Sequence, residues 1–441
     1  MATQASNFKV VFIGIFIVGA IAGVLSFAGI INLGGTSTQK VAGSVTIWGT
    51  VNQQMFQKFI ASFNIANADV HVQYVEKDPL TFDTDFVEAV AKNSVPDLVL
   101  LPDNLSYRFR DKFMHIPFTS LSAQTYASSY ISAADIFAMP DGYVAIPWIA
   151  DPLVMYYNQD LLAASGIAVP PKTWPDFSGT VSSLTKKTSD LTITQSAAAL
   201  GTYKNVTNAK DVLTLLFMQG GNPVANYSQT GDFTVHFGAN TNNTEASAAK
   251  NAVNFYLSYS NPVDPLYSWH DGMMNDRDAF VRGALVYYFG RASEIPIVRA
   301  QNPNLNFNIS LPPQFKTAKV PLTNGGLYGL AIPNGAKDKT LSAAAAKLLV
   351  DNEQLLIDSS GTQFSFVPTR RDVLANKPAH DAYMSYLYNV ALVMRTWVDP
   401  NPKSSSTIFK DLLYSVSSGI ATLDISLLDA GNKLYQVGAN I

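Results

Sequence analysis

The chain contains no cysteine. Disulfides, thiolate nucleophiles and cysteine metal sites are therefore excluded, and so is anchoring through a lipid-modified cysteine. Charge is scarce as well. Asp, Glu, Lys and Arg make up 14% of the 441 residues, and the net charge is −3. With no basic excess, nucleic acid is excluded as an expected partner. Metal motifs are missing. His71 and His115 stand alone, and the Asp264–Asp278 stretch, DPLYSWHDGMMNDRD, does not space its acids as a calcium loop does. The serine elbow G-x-S-x-G is also absent.

What the chain has is apolar material. Hydrophobic residues make up 47% of it, enough for two domains with full cores. The first long apolar run is Val10–Ile31, 22 residues with Ser26 as its one polar side chain. As a helix it would extend about 33 Å, close to the thickness of a bilayer core. It is longer than the apolar region of a cleaved signal peptide. Lys9 before it favours the N-terminus inside and the rest outside. The expectation is a cytoplasmic stretch 1–9, a transmembrane anchor 10–31 and a flexible linker 32–43.

Beyond the linker, strand and helix patterns alternate. Ser44–Trp48 and Val70–Val75 read as strands, and Asp97–Leu101 as a strand buried on both faces. Between them lie helical spacings, Met55 to Phe63 and Phe82 to Val90. This alternation predicts a parallel sheet. Ligands bind beyond the carboxyl ends of such strands, where Trp48 and Asp103 fall. The stretch Ala145–Gly166, AIPWIADPLVMYYNQDLLAASG, then sets Trp148, Asp151 and Tyr156 around a proline-marked corner. Such a corner suits a single passage between two α/β blocks.

In the second block, Thr173 with Pro175 just inside predicts a helix start. Asn208–Gln219 predicts a helix capped by Asn208 and stopped at Gly220–Gly221. Thr244 predicts the cap of another helix, to Ser258. Ala284–Phe289 reads as a strand followed by Arg291, whose planar fork suits a hydroxyl pair or a carboxylate, or else a salt bridge to Glu294. Gly325–Ile332 reads as a strand whose glycines allow close backbone approach, with Tyr328 as its candidate ligand contact. Arg370 and Arg371 read as a solvated face. Sequons occur at Asn104, Asn205, Asn226, Asn242 and Asn308.

Several of these segments resemble, in order, the extracellular solute-binding proteins of ABC importers of maltose-binding-like type. They are the corner with Tyr157-Asn158-Gln159-Asp160-Leu161, Pro171–Phe177, Gln219–Gly221, Phe280–Gly283 and Gly325–Ile332. One departure is the absence of a tryptophan after Gly290, where Arg291 and Ala292 stand. The resemblance implies a two-lobed periplasmic-binding-protein-like α/β fold of type II, each lobe a mostly parallel sheet flanked by helices. The boundaries expected are 44–150 with 285–335 for the first lobe, and 151–284 with 336–441 for the second. Ala284–Phe289 is then a return strand, and Trp269 belongs to an aromatic loop at the cleft.

The function implied is capture of a carbohydrate, in particular an oligosaccharide, by hinge closure. The expected partners are ABC permease subunits and, through the N-terminal helix, the cell membrane, with the main domain outside, no cofactor and a monomeric state. The candidate ligand-binding residues are Trp48, Asp103, Trp148, Asp151, Tyr156, Trp269, Arg291 and Tyr328. Two other readings share the fold: a membrane-anchored surface sensor, and a glycoside hydrolase using Asp103 and Asp151 as its carboxylate pair.

Overall fold

The computed structural model describes residues 41–441 except 191, 229–230, 239–241, 317, 361–364 and 379–380. The expected anchor Val10–Ile31, the 1–9 stretch and most of the linker lie outside the described residues. Among the described residues, no helix is long and apolar enough to cross a membrane.

The first α/β block follows the hydrophobic pattern. Strands β1 (Gly43–Gly49), β2 (Val70–Glu76) and β3 (Leu98–Pro102) run parallel, and β1 and β2 pair over seven residues, Gly43↔Val70 to Gly49↔Glu76. Helix α1 (Gln53–Ala66) starts at Asn52, whose side chain accepts from the Gln54 N–H, and it buries Phe56, Phe59 and Phe63. Those three lie three or four positions apart, on one helical face. Helix α2 (Phe82–Ala91) buries Phe82 and Phe86, and α3 (Asp103–Phe109) follows β3 directly.

The corner is one long strand, β4 (Ile146–Asn158), buried along almost its whole length. Proline removes a ladder donor and is rare inside sheets. Here both prolines sit where the ladder changes. Pro147 lies by a register shift at Tyr328/Gly329 of the neighbouring strand, and Pro152 lies where β4 exchanges one partner strand for another.

The second block begins with α4 (Trp174–Leu184), capped by Thr173 as its sequence predicts. Strands β5 (Lys186–Lys187) and β6 (Ile193–Ala198) follow, then α5 (Ala209–Gln219) and α6 (Asn243–Ser258). Asn208 does not cap α5 with its side chain; its amide donates instead to Glu294, at 2.9 Å, and to the Phe289 carbonyl. The cap of α6 is Asn242, two residues before the expected Thr244.

Strand β7 (Leu285–Arg291) lies parallel to β6 and antiparallel to the C-terminal half of β4, and β8 (Phe307–Ser310) pairs with that same half. The segment read as a return strand therefore pairs within the second block. The return is made by β9 (Thr323–Ala331), antiparallel to both β4 and β3. Helices α7 (Lys339–Asp351) and α8 (Glu353–Ser360) pack on β1 and α1. The two-residue strands β10 (Val367–Pro368) and β11 (Met394–Arg395) pair with β4 and β9. Helices α9 (Pro402–Ser417) and α10 (Leu423–Ala439) then pack on α6 of the second block.

The fold is thus two α/β lobes on one continuous sheet, in the order β2-β1-β3-β9-β4-β7-β6-β5. The first-lobe end is parallel, as expected; at the second-lobe end β6 and β7 are parallel but the edge strand β5 is antiparallel to β6, and β4 and β9 form an antiparallel join between the two ends. Each lobe has an aromatic core. Phe56, Phe59 and Trp148 meet in the first; Trp174, Phe177, Tyr287 and Phe289 meet in the second.

Candidate functional site

β4 and β9 lie side by side where the chain passes between lobes, with Gly326 opposite Asp151 and Tyr328 opposite Ile149. On its other edge β9 pairs with the end of β3, Tyr328 opposite Pro102, which brings Asp103 to the same place. From the second lobe, β7 ends there at Arg291, opposite Leu153 of β4. Residues far apart in sequence converge here because strand ends of both lobes meet at one crossing.

Arg291 is the centre of the cluster. Its Nε and Nη2 donate to Asp211 Oδ2 at 2.9 and 2.8 Å. Its backbone is held on both sides: the N–H donates to Glu294 Oε1, and the carbonyl accepts from Tyr156 Oη. Glu294 is therefore a partner of the Arg291 backbone, while Asp211 is the partner of the guanidinium. Gly326 makes room for that guanidinium, since a Cβ there would stand 2.2 Å from Arg291 Nη1. Burial works against the Arg291 charge, but Asp211, Asp151 and Asp103 outweigh it and hold the group firmly protonated.

The carboxylates respond differently. Burial pushes Asp103 up to about 7, against the pull of Arg291 and of the Leu327 and Asn104 N–H groups. Asp151 is pushed up to about 6 by burial, with Arg291 and Ser293 opposing. Both Asp151 oxygens accept from Ser293, from its N–H at 2.8 Å and its hydroxyl at 2.7 Å. The Tyr328 phenol is raised by burial and then by Asp151.

Tyr328 also lines a cavity of about 200 Å³, which Asp103, Asp151 and Arg291 do not line. Thr50, Asp83, Asn104 and Tyr328 line it from the first lobe, and Asn401, Pro402 and Lys403 from the second. Its rim carries an ion triad: Asp83 accepts from Lys403 at 2.9 Å and from Arg108 at 2.8 Å. Burial alone would raise Asp83; its two cations hold it below the usual carboxylate range. Nearby, Tyr107 of the first lobe stacks on Tyr227 of the second, ring centroids 5.5 Å apart, and Tyr227 Oη donates to the Ala138 carbonyl. The lobes are closed on one another.

Of the residues expected at a site, Asp103, Asp151, Arg291 and Tyr328 come together. Four do not. Trp148 is buried in the first lobe's core, stacked on Phe56 at 5.6 Å, because its strand is covered by α1. Tyr156 is fully buried among Phe280, Tyr288 and Phe307 and touches the cluster only through its hydroxyl on the Arg291 carbonyl. Trp269 is fully buried too, its Nε1 donating to Asn205 Oδ1 at 3.2 Å. Trp48 is half-buried at the end of β1, but the Lys77 ammonium covers its ring at 3.8 Å.

The sequence reading missed Asp211 and the Asp83–Lys403 pair. Asp211 lies in the first turn of α5, where an acid is ordinary dipole chemistry; an acid in a helix opening toward the corner was the one available signal. Arg370 and Arg371 are not merely solvated: Arg370 pairs with Asp372, and Arg371 donates to the Tyr130 carbonyl at 2.7 Å. Asn205 of the sequon set is buried, its amide donating to the His270 and Met273 carbonyls. No group of three potential metal ligands occurs among the described residues.

A family model described as bacterial extracellular solute-binding protein matches residues 58–384. A search of curated proteins finds no match. Among solved structures, the sugar-binding protein MalE from the phytopathogen Xanthomonas citri is similar at a TM-score of 0.70 and 16% identity, over 90% of this chain and 98% of that one. CpMnBP1 with mannotriose bound is similar at 0.67 and 19%, over 89% and 99%. The GacH receptor of Streptomyces glaucescens, solved unliganded and with acarbose, is similar at 0.67 and 18%, over 90% and 98%.

Proposed function

The chain belongs to the bacterial extracellular solute-binding protein family, and from that premise we propose that it is the substrate-binding component of an ABC importer, capturing a carbohydrate between its lobes. One observation carries this reading. Tyr328, on the crossing strand β9, lines a cavity whose other walls come from Thr50, Asp83 and Asn104 on one side and Asn401, Pro402 and Lys403 on the other, and Asp151 and Asp103 lie next to it along the paired strands. Carboxylates accept from sugar hydroxyls, and a tyrosine both donates and accepts. The similar structures named with mannotriose or acarbose support the same class.

Strand pairing suggests lobe boundaries that differ from those expected: 41–150 with 323–375, and 151–322 with 382–441. Closure would then bend the chain at β4, at β9 and after Ala375. The cavity is smaller than the roughly 300–1,000 Å³ of ordinary ligand pockets. In this closed form it suits a small sugar, and an oligosaccharide needs the lobes further apart. The apolar run Val10–Ile31 would tether a monomer to the outer face of the membrane, beside its permease. The hydrolase reading is not favoured, because both oxygens of Asp151 hold Ser293.

Thermal unfolding against mono- and oligosaccharides, amino acids and polyols tests this. A ligand at 100 times its dissociation constant stabilises the native state by about 2.7 kcal/mol. A rise in melting temperature with one sugar class supports the reading. A rise with amino acids alone, or with nothing, rejects it.

A further inference from the structure

Neutral polar groups line the cavity between the lobes. Among the described residues, no side-chain hydrogen bond engages Thr50, Asn104 or the Tyr328 hydroxyl, and all three residues line the cavity from the first lobe. From the second lobe comes Asn401, whose side chain is held in one orientation. Its Oδ1 accepts from the Lys403 and Ser404 N–H groups, each at 3.1 Å, at the start of α9. Its own N–H donates to Asp399 Oδ1 at 3.1 Å, and the other Asp399 oxygen accepts from Lys210 and Ser405, each at 2.8 Å. With its oxygen committed to the helix, Asn401 offers a ligand its NH2 donors.

The charged groups of the lining are already matched. Asp83 and Lys403 pair across the mouth at 2.9 Å, and Arg108, the second cation on Asp83, does not line the cavity. The N–H groups that open α9 would attract an anion if they were free. They are those of Lys403 and Ser404, which Asn401 caps, and Pro402 before them has none. The rings of Pro79, Pro102 and Pro402 form part of the wall. Such rings cannot swing aside as long side chains do, so the space of about 200 Å³ is firmly bounded there.

We propose that the cleft selects an uncharged sugar of one ring, with Asn401 as the contact that ties it to the second lobe and Thr50, Asn104 and Tyr328 as its contacts on the first. This rests on the carbohydrate-capture reading given above and narrows it. Sugar hydroxyls both donate and accept, which suits a set of amides, a hydroxyl and a phenol. A uronate or an amino sugar would bury a charge where the lining holds no unpaired counter-charge, a cost that a neutral ring avoids. A second ring would have to part Lys403 from Asp83. Because Asn401 stands on the second lobe, its bond to a solute held by the first forms only on closure and favours the closed state.

The test is calorimetric titration of the full-length protein at neutral pH with glucose, galactose and mannose, each as monosaccharide, disaccharide, uronate and amino sugar. One neutral monosaccharide is expected to bind about tenfold or more tighter than its three derivatives. Asn401→Ser keeps a good helix cap and removes the NH2. It is expected to weaken binding about tenfold with little change in melting temperature. Deoxy analogues of the same sugar separate a contact from a structural role. A merely structural lesion weakens every analogue alike, whereas the loss of a contact costs nothing further once the hydroxyl it served is missing. A disaccharide, uronate or amino sugar binding as tightly as the monosaccharide overturns the proposal and leaves sugar capture standing. Full affinity in Asn401→Ser, or an equal loss with every deoxy analogue, does the same. No binding by any of these sugars rejects both.

Discussion

Lys403 and Asp83 are 320 positions apart in the chain, yet the ammonium lies 2.9 Å from the carboxylate. Lys403 belongs to α9, in the second lobe, and Asp83 to α2, in the first. Their pair spans the mouth of the cleft. A contact of this kind exists only when the lobes are closed, so it biases an open–closed equilibrium toward closure.

Lys403→Ala is accordingly expected to speed ligand release. Lys403 is more than half exposed, so its pair is worth about 0.2–1 kcal/mol, or a few-fold in rate. Stopped-flow dissociation measures this, and the difference from wild type shrinks at high salt. An unchanged release rate would remove the latch role.

Gly326→Ala is expected to disable the site without unfolding the lobes. Its Cβ would sit 2.2 Å from Arg291 Nη1, at the tip of a long side chain that must leave its bond to Asp211. Gly325→Ala is a different lesion. Its Cβ would meet the Asp151 carbonyl at 2.6 Å and Pro152 Cα at 2.7 Å, both main-chain atoms that cannot swing aside. Affinity should fall in the first variant with a small change in melting temperature. In the second, the melting temperature should fall strongly.

Trp148→Ala is expected to cost about 3–5 kcal/mol of stability, the usual range for emptying a buried large aromatic site. Urea unfolding measures the loss. Affinity of the folded fraction should be unchanged, since Trp148 faces Phe56 and Phe59 in the core. A selective loss of affinity would return Trp148 to the cleft.

Stability is expected to fall as pH rises from about 5 to 8. Glu353 is fully buried beside Thr369, and burial pushes it up to about 8. Asp103 and Asp276 are pushed up to about 7, again by burial, and Asp151 to about 6. In this window the folded chain keeps protons that the unfolded chain has lost, so each rise in pH favours unfolding. Asp83 has the opposite sign, its stabilisation being lost only below the ordinary carboxylate range. Glu353→Gln preserves the acceptor for the Thr369 N–H and should flatten the upper part of the slope. Melting temperature against pH, for both proteins, tests it.

Much of the fold was legible because it is written in local periodicity. Phe56, Phe59 and Phe63 share a helical face whatever they pack against. Thr173 caps its helix with its own side chain. The proline-marked corner proved to be the crossing strand, since its long apolar run fits only a strand buried on both faces. The candidate site was legible in part. Asp103, chosen at a strand end, Asp151, at the corner, Arg291, for its planar fork, and Tyr328, on a glycine-rich strand, do fall close together on the paired strands. Trp148, Tyr156 and Trp269 were not placed correctly, because an aromatic near a corner carries no sign of which face it turns to.

The sequence by itself determined α/β blocks on either side of a proline-marked strand, since helix and strand periods, caps and breakers act within a few residues; the two lobes were implied by the resemblance. Tertiary structure alone decided which strand returns, which aromatics are core, and that Asp211 joins Arg291 and Lys403 joins Asp83. Those outcomes depend on pairings between residues 80 to 320 positions apart. No local pattern encodes such pairings, because they follow from which surfaces remain to be covered once the local elements have formed.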